Sequence, residues 1–309
     1  MLSVVFSRAV QSIVALLLLS LVVFGLSRLS GDPVELMLPV DATNEARQSL
    51  RETLGLDRPL TEQYVAFLKG ILSGDLGTSI RERRPATELV WDRLGSSASL
   101  AGAAMTVALL LAVPLAVAAA VWKGTLIDLF ARTVAVLGQS LPTFVVGLVL
   151  IIVVAGQWGV LPAGGSGSWQ HYVMPAFTLG WFVVAGLMRL LRSSLLDVLD
   201  SEFVKLARIK GVPEWIVVWK HAVRNALLAV VTLGGVYFAL LLSTAVIVET
   251  IFAWPGLGRL AYDAVRFRDF PVTQAVVLTV AVMVVATNLI IDLLYAWLDP
   301  RIRVERSQR

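Results

Sequence analysis

EFVKLARIKGVPEWIVVWKHAVRN, residues Glu202–Asn225, is a charged island between two long apolar segments. It carries Lys205, Arg208, Lys210, Lys220 and Arg224. Phe203, Leu206 and Ala207 recur at helical spacing, while Lys205 and Arg208 turn to another face. Gly211 can take the left-handed conformation that ends a helix, and Pro213 prevents the same helix from continuing. Pro213 also suits the first turn of a second helix, which runs on into the next apolar segment. The stretch therefore predicts a short helix, a sharp break and a second helix leading into a bilayer. The Ala207-x-x-x-Gly211 pair beside an apolar edge is a shape suited to another protein's groove.

The chain around it is 57% hydrophobic and 16% charged over 309 residues. Soluble proteins of this size are nearer half apolar and a quarter charged. An all-α, polytopic membrane protein follows. There are no cysteines, which excludes disulfides, a thiol nucleophile and zinc-thiolate or iron–sulfur sites. The formal charge of +4 comes from basic residues lying largely beside apolar segments, so it does not point to nucleic acid.

Six spans of the length a bilayer requires are expected. Ala9–Leu29 is the first; Arg8 ahead of it gives the order of a signal peptide, but no small-residue cleavage site follows. The others fall at about residues 98–122, 132–156, 172–192, 226–248 and 274–296, with Pro114 and Pro142 bending the spans that hold them. Ala226–Val248 runs without a single charge. Residues 30–97 form a mostly polar loop, in which Leu60, Tyr64, Phe67, Leu68, Ile71 and Leu72 give Pro59–Leu72 one apolar face. Gly74-Asp75-Leu76-Gly77 then reads as a turn. Lys and Arg near the short loops set orientation. Arg8, Lys123, Arg132, the cluster from Arg189 to Arg224 and the arginines from Arg301 to Arg309 all share one side. Both termini and the Glu202–Asn225 loop are accordingly expected in the cytoplasm.

Chemistry is sparse. His171 and His221 are the two histidines, and neither has a second ligand at metal spacing. No G-x-x-x-x-G-K-[ST] loop, G-x-S-x-G elbow or H-E-x-x-H helix occurs, so neither ATP hydrolysis nor other catalysis is expected of this chain. Ionisable groups near membrane depth are functional suspects. Asp128 and Asp292 fall near the inner boundary, where a structural role is expected. Glu249 lies near the outer end of the fifth span, where it would line a vestibule, cap a helix or pair with Arg259. It is the one candidate for a substrate pathway.

Lys205-Leu206-Ala207, Gly211 and His221-Ala222-Val223-Arg224-Asn225 resemble the EAA loop of ABC-importer membrane subunits. Their departures from the general form resemble the dipeptide/oligopeptide/nickel branch, with its His-x-x-Arg-Asn ending. The similarity extends, in order, through Gly31-Asp32-Pro33, Leu54–Leu60, Gly74–Ser79, Phe252–Arg259, Arg268–Val272 and Leu298–Arg303. It covers about residues 5–303 and is closest to the first of the two permease subunits. This resemblance implies a type I ABC importer transmembrane fold. Its parts would be an N-terminal helix (1–29), an extracytoplasmic loop (30–97), a core (98–296) with a coupling loop at 196–225, and a cytoplasmic tail (297–309). It also implies a second, similar permease, two ATP-binding subunits that carry the ATP and Mg, and an extracytoplasmic solute-binding protein. Glu202, Phe203, Val204, Lys205, Leu206, Ala207, Arg208, Lys210 and Gly211 would form the coupling helix in the ATPase cleft. Relatives carry peptides, nickel chelates, glutathione or opines.

Two other classes compete. An intramembrane enzyme would need a paired nucleophile and base, or metal ligands, at bilayer depth, and the inventory lacks them. A stand-alone channel or secondary transporter would predict buried charges or repeated halves, and no internal repeat is visible.

Overall fold

The computed structural model describes residues 2–29, 33–38 and 42–298. Gly31, Asp32 and the tail from Asp299 onward lie outside the described residues. The helices are α1 (Leu2–Leu29), α2 (Pro33–Met37), α3 (Asn44–Thr53), α4 (Leu60–Ser73), α5 (Ala86–Val121), α6 (Leu126–Ser140) and α7 (Thr143–Leu150). A π-helical turn, Ile151–Gln157, continues α7. Then come α8 (Gln170–Leu199), α9 (Glu202–Ile209), α10 (Glu214–Ile216), a second π-helix (Val217–Val223), α11 (Arg224–Ile251), α12 (Leu257–Arg266) and α13 (Phe270–Leu298). Helices are the form that satisfies every backbone group within a lipid-embedded segment.

Five of these helices are long and apolar enough to cross a membrane. A sixth span exists if α6 and the α7 segment count as one, and there the structure corrects the expectation of a simple bend. At Leu141-Pro142 the chain turns by 103° between Leu126–Ser140 and Thr143–Gln157. Leu141 is extended (φ −88°, ψ 123°), as a residue before proline prefers, and that takes it out of the helix altogether. Pro114, by contrast, sits inside an unbroken α5. Boundaries also move outward: α5 starts twelve residues before the expected 98, and α8 runs on to Leu199. Within the expected loop 30–97, α2, α3 and the first turns of α5 are helical as well as α4.

The chain forms two compact units. The first contains Met1–Ser97 and Pro255–Val285. In it the apolar face of α4 packs on α1 through Phe24, Tyr64 and Phe67, with ring centroids 5.4 to 6.4 Å apart. Tyr64 Oη and Ser20 Oγ share a 2.9 Å hydrogen bond. Ala86, Leu89 and Val90 of α5 meet Leu257 and Ala264 of α12 and Val272, Ala275 and Val276 of α13 in a buried core. The Leu257 N–H donates to Ser97 Oγ at 2.7 Å, which satisfies an orphan donor at the start of α12.

The same unit contains a hairpin pinned from far along the chain. Ser79 donates to Asp269 Oδ2 at 2.5 Å, and the N–H groups of Ile80 and Arg81 reach the same carboxylate at 3.2 and 3.3 Å. Asp269 is 3% exposed. Arg83 and Arg268 both hold φ of 54°, unusual for non-glycine residues, and the Arg81 guanidinium lies 3.8 Å over the Phe267 ring.

The second unit contains Ala98–Trp254 and Ala286–Arg309, and α8 is its axis. Val183, Val184, Ala185, Leu187, Met188 and Leu191 of α8 are all buried. An alanine stripe on α5 (Ala101, Ala104, Ala108, Ala112, Ala116) has almost no exposed surface. A Cβ on Gly180 would fall 2.6 Å from the Ala104 carbonyl, so α5 and α8 cross with their backbones nearly touching. Close approach through small residues is how helices associate where lipid supplies no hydrophobic drive.

Candidate functional site

Between the long helices α8 and α11 the chain builds a short exposed helix closed at its C-terminal end. Ser201 opens α9 in an extended conformation, and its carbonyl accepts from the Val204 and Lys205 N–H groups. At the other end Gly211 takes φ 77°. Its N–H bonds to the Arg208 carbonyl at 3.0 Å, and the Val212 N–H reaches back to Ala207 at 3.1 Å. That pair of bonds is a Schellman closure, the role expected of Gly211. Pro213 (φ −53°, ψ 138°) stands just before α10, whose chain continues through the π-helix into α11.

One bridge holds the turn. Arg208 Nε donates to Glu214 Oε2 at 3.1 Å and Arg208 Nη2 to Oε1 at 2.6 Å, a bidentate pair across the break. The guanidinium holds the Glu214 carboxyl below its ordinary range and is itself raised by that partner. Lys205 Nζ contacts Glu202 at 3.1 Å and Asp200 at 3.5 Å. These two carboxylates raise its ammonium, with the Glu202 hydrogen bond foremost.

The faces of α9 differ sharply. Val204 is completely buried and turns inward, so of the residues expected to meet a partner it is the one that packs on its own chain. Phe203 (48% exposed), Leu206 (50%) and Ile209 (82%) form an apolar strip at i, i+3, i+6. Ala207 is half-buried, while Glu202, Lys205, Arg208, Lys210 and Gly211 are exposed. Trp215 and Trp219 add exposed aromatic surface just beyond the turn. Ile209, Trp215 and Trp219 were not singled out from sequence. Continuing the i, i+3 series from Phe203 through Leu206 reaches Ile209, and that signal was available. A cavity of about 680 Å³ behind the helix is lined by Lys123, Asp197, Asp200, Arg208 and Glu214 among others.

The remaining ionisable candidates lie elsewhere. Asp128, 2% exposed, accepts from Arg192 Nε at 2.8 Å, Arg192 Nη2 at 2.9 Å and the Gly124 N–H at 3.0 Å. Arg132 Nε lies 3.4 Å away. The carboxylate ties the start of α6 to α8, which is a structural task. Glu249, near the end of α11, has no exposed surface, and its carbonyl accepts from the Trp254 N–H at 2.8 Å. The side chain of Asp292 lies outside the described residues. No cluster of three or more His, Cys, Asp or Glu suited to a metal occurs among the described residues.

Residues 112–304 match the family described as the binding-protein-dependent transport system inner membrane component, and residues 1–101 match its N-terminal region. The chain belongs to this family of ABC importer permeases. The permease is 40% identical over 304 residues to the glutathione transport system permease protein GsiC of Salmonella paratyphi A, covering 98% of this chain and 99% of the relative. The protein of the same name from Escherichia coli K12 is 39% identical over the same span. A chain in the crystal structure of an amino acid ABC transporter with histidines aligns with a TM-score of 0.55 and 20% identity. It covers 68% of the permease and 94% of that chain, and at this identity it shows the fold. The peptide/nickel-type resemblance, the type I importer fold and the transport role all stand on these matches. The permease is a multi-pass protein of the inner membrane and a transport subunit, not itself an enzyme.

Proposed function

We propose that α9 is the coupling helix through which two partner ATPases, which bind the ATP and Mg, drive this permease. The observation that carries the reading is the bare apolar strip on a short helix that Gly211 stops with a closed turn. Phe203, Leu206, Ala207 and Ile209 would enter the ATPase cleft, with Glu202, Lys205, Arg208 and Lys210 on its rim. Val204 fixes the helix to its own subunit and Gly211 sets the turn. The permease pairs with a second, similar permease and receives solute from an extracytoplasmic binding protein. Both termini and the 196–225 loop face the cytoplasm and 30–97 faces outward, following the basic residues near the spans. ATP binding closes the ATPase pair and moves the coupling helices, and the spans rock to open the cavity outward.

The solute class is small peptides of the glutathione kind, supported by the full-length likeness to glutathione transport permeases. Co-expression with the partner subunits and uptake of labelled glutathione against a labelled dipeptide tests the solute. Purification in mild detergent tests the assembly: recovery of the chain without ATPase subunits would refute the coupling role of α9. Orientation is tested by a cysteine at Lys205, which a membrane-impermeant thiol reagent added outside should leave unlabelled.

A further inference from the structure

We propose that the elbow of the broken span, Gln139–Thr143, is a polar station on the solute pathway at mid-membrane depth. The inference rests on the permease reading and names residues for the pathway.

Depth comes from contacts along α8. A Cβ on Gly138 would lie 2.8 Å from Ala185 Cβ and 3.2 Å from the Trp181 carbonyl oxygen. One on Gly147 would lie 3.2 Å from Thr178 Cγ2. The elbow between these glycines therefore runs beside residues 178–185, the middle of a 30-residue helix. At about 1.5 Å per residue that stretch is more than about 10 Å from either end of α8. It lies within the hydrocarbon layer.

Backbone there is not helical. The Leu141 N–H bonds to Leu137 on one side, and the Val145 and Val146 N–H groups bond to the Pro142 carbonyl on the other. Pro142 has no N–H, so the Gly138 carbonyl loses its helical donor. Gln139, Ser140, Leu141 and Pro142 are all exposed on this chain. Non-helical backbone at this depth is tolerated only where protein covers it or water fills a cavity beside it. Lipid is excluded as its neighbour.

The side chains at the break are polar as well. The elbow thus gathers uncharged donors and acceptors: the Gln139 amide, the Ser140 and Thr143 hydroxyls and carbonyls freed by Pro142. Such a set matches the amide groups of a small peptide and binds no charge strongly enough to trap it.

The cysteine-free chain makes the test direct. Gln139→Cys, Ser140→Cys and Thr143→Cys are compared with Ile152→Cys, an exposed apolar position, in membranes carrying the assembled transporter. Methanethiosulfonate ethylammonium is the probe, because only a hydrated thiol ionises and reacts. The elbow cysteines should label about tenfold or more faster than Ile152→Cys. Labelling as slow as the control would overturn the proposal, since the second permease would then seal the elbow in a dry interface. A second arm compares glutathione uptake by Gln139→Leu and Gln139→Asn. The KM should rise several-fold in the leucine variant and recover in the asparagine variant, with ATPase co-purification unchanged. An unmoved KM would also overturn it, because solute would then pass without touching the elbow. Loss of ATPase co-purification or of wild-type uptake would instead refute the proposed coupling or the proposed solute, and labelling rates are read independently of both.

Discussion

The Ser79–Pro85 hairpin and the α9 loop are both polar turns between helices, and both hold a residue at positive φ. In the hairpin, Asp269 gathers the Ser79 hydroxyl and the Ile80 and Arg81 N–H groups, and the ring of Phe267 lies under Arg81. Its polar groups find their partners within the unit. In α9 the backbone is closed at the C-terminal end by Gly211. The difference lies in the apolar residues. Phe203, Leu206 and Ile209 are left uncovered although Val204, their neighbour, is buried. Single exposed hydrophobics are ordinary, but an aligned strip of them on one face of a short helix marks a surface completed by another chain.

The largest effect should come from the hairpin, because it depends wholly on its own chain. Asp269→Ala leaves a buried hydroxyl and two backbone N–H groups without their acceptor, which costs about 2–4 kcal/mol. Thermal unfolding of the purified permease should show a clear fall in midpoint, with Asp269→Asn in between. An unchanged midpoint would remove one side of the contrast.

Next comes a pair of substitutions one residue apart. Phe203→Ser should leave the permease within about 0.5 kcal/mol of its original stability, as exposed sites do. It should nevertheless weaken ATPase association by about 1.5–3 kcal/mol, the value of burying such a side chain. Val204→Ser should do the reverse, lowering the unfolding midpoint. If both variants lost stability equally, α9 would be packed on its own subunit on both faces and the contrast would collapse.

These contrasts also show what the sequence can reveal. Gly211 and Pro213 were legible because left-handed φ and a missing N–H are properties of single residues. The apolar face of α4 was legible because fourteen residues are enough to show a 3.6-residue period. In the eight residues of α9 the period cannot tell inward from outward. Val204 therefore looked like one more contact residue, although it is fully buried where α9 packs on its own subunit. The Asp269 latch was not legible, since its partners are 188 to 190 residues away and nothing local marks them. Pro142 announced a disturbance but not its size, because the 103° turn depends on Leu141 becoming extended. Asp128 was correctly suspected of a structural role, yet its partner Arg192 lies 64 residues on.

A smaller effect is expected at Gly211. With φ at 77°, a β-branched side chain meets its own backbone, at roughly 1–2 kcal/mol. No neighbouring atom lies within 4 Å of the added Cβ, so the strain is conformational and not a clash. Gly211→Val should reach the membrane at normal levels but re-aim α9 and lose uptake, while Gly211→Asn should retain more of it. Wild-type uptake in the valine variant would mean that the angle of α9 is immaterial to coupling.

The smallest effect tests whether the turn is held by charge. Arg208 holds the Glu214 carboxyl below its ordinary value of 4.5, so the folded pKa is the depressed one. The stabilisation is therefore fully present above the ordinary carboxylate value, and it is lost as pH falls from there through the folded pKa. Both side chains are well exposed, at 42% and 55%, so solvent and salt screen the pair. Its contribution at neutral pH is about 0.5 kcal/mol or less. Glu214→Gln should accordingly shift the unfolding midpoint slightly downward at pH 7 in low salt. The difference should shrink below pH 4.5 and in high salt, where the wild-type pair is itself protonated or screened. A Glu214→Gln deficit that persisted unchanged into acid would show that the carboxylate supports the turn through its shape and not its charge. The α9 loop would then owe its aim to Gly211 and Pro213 alone.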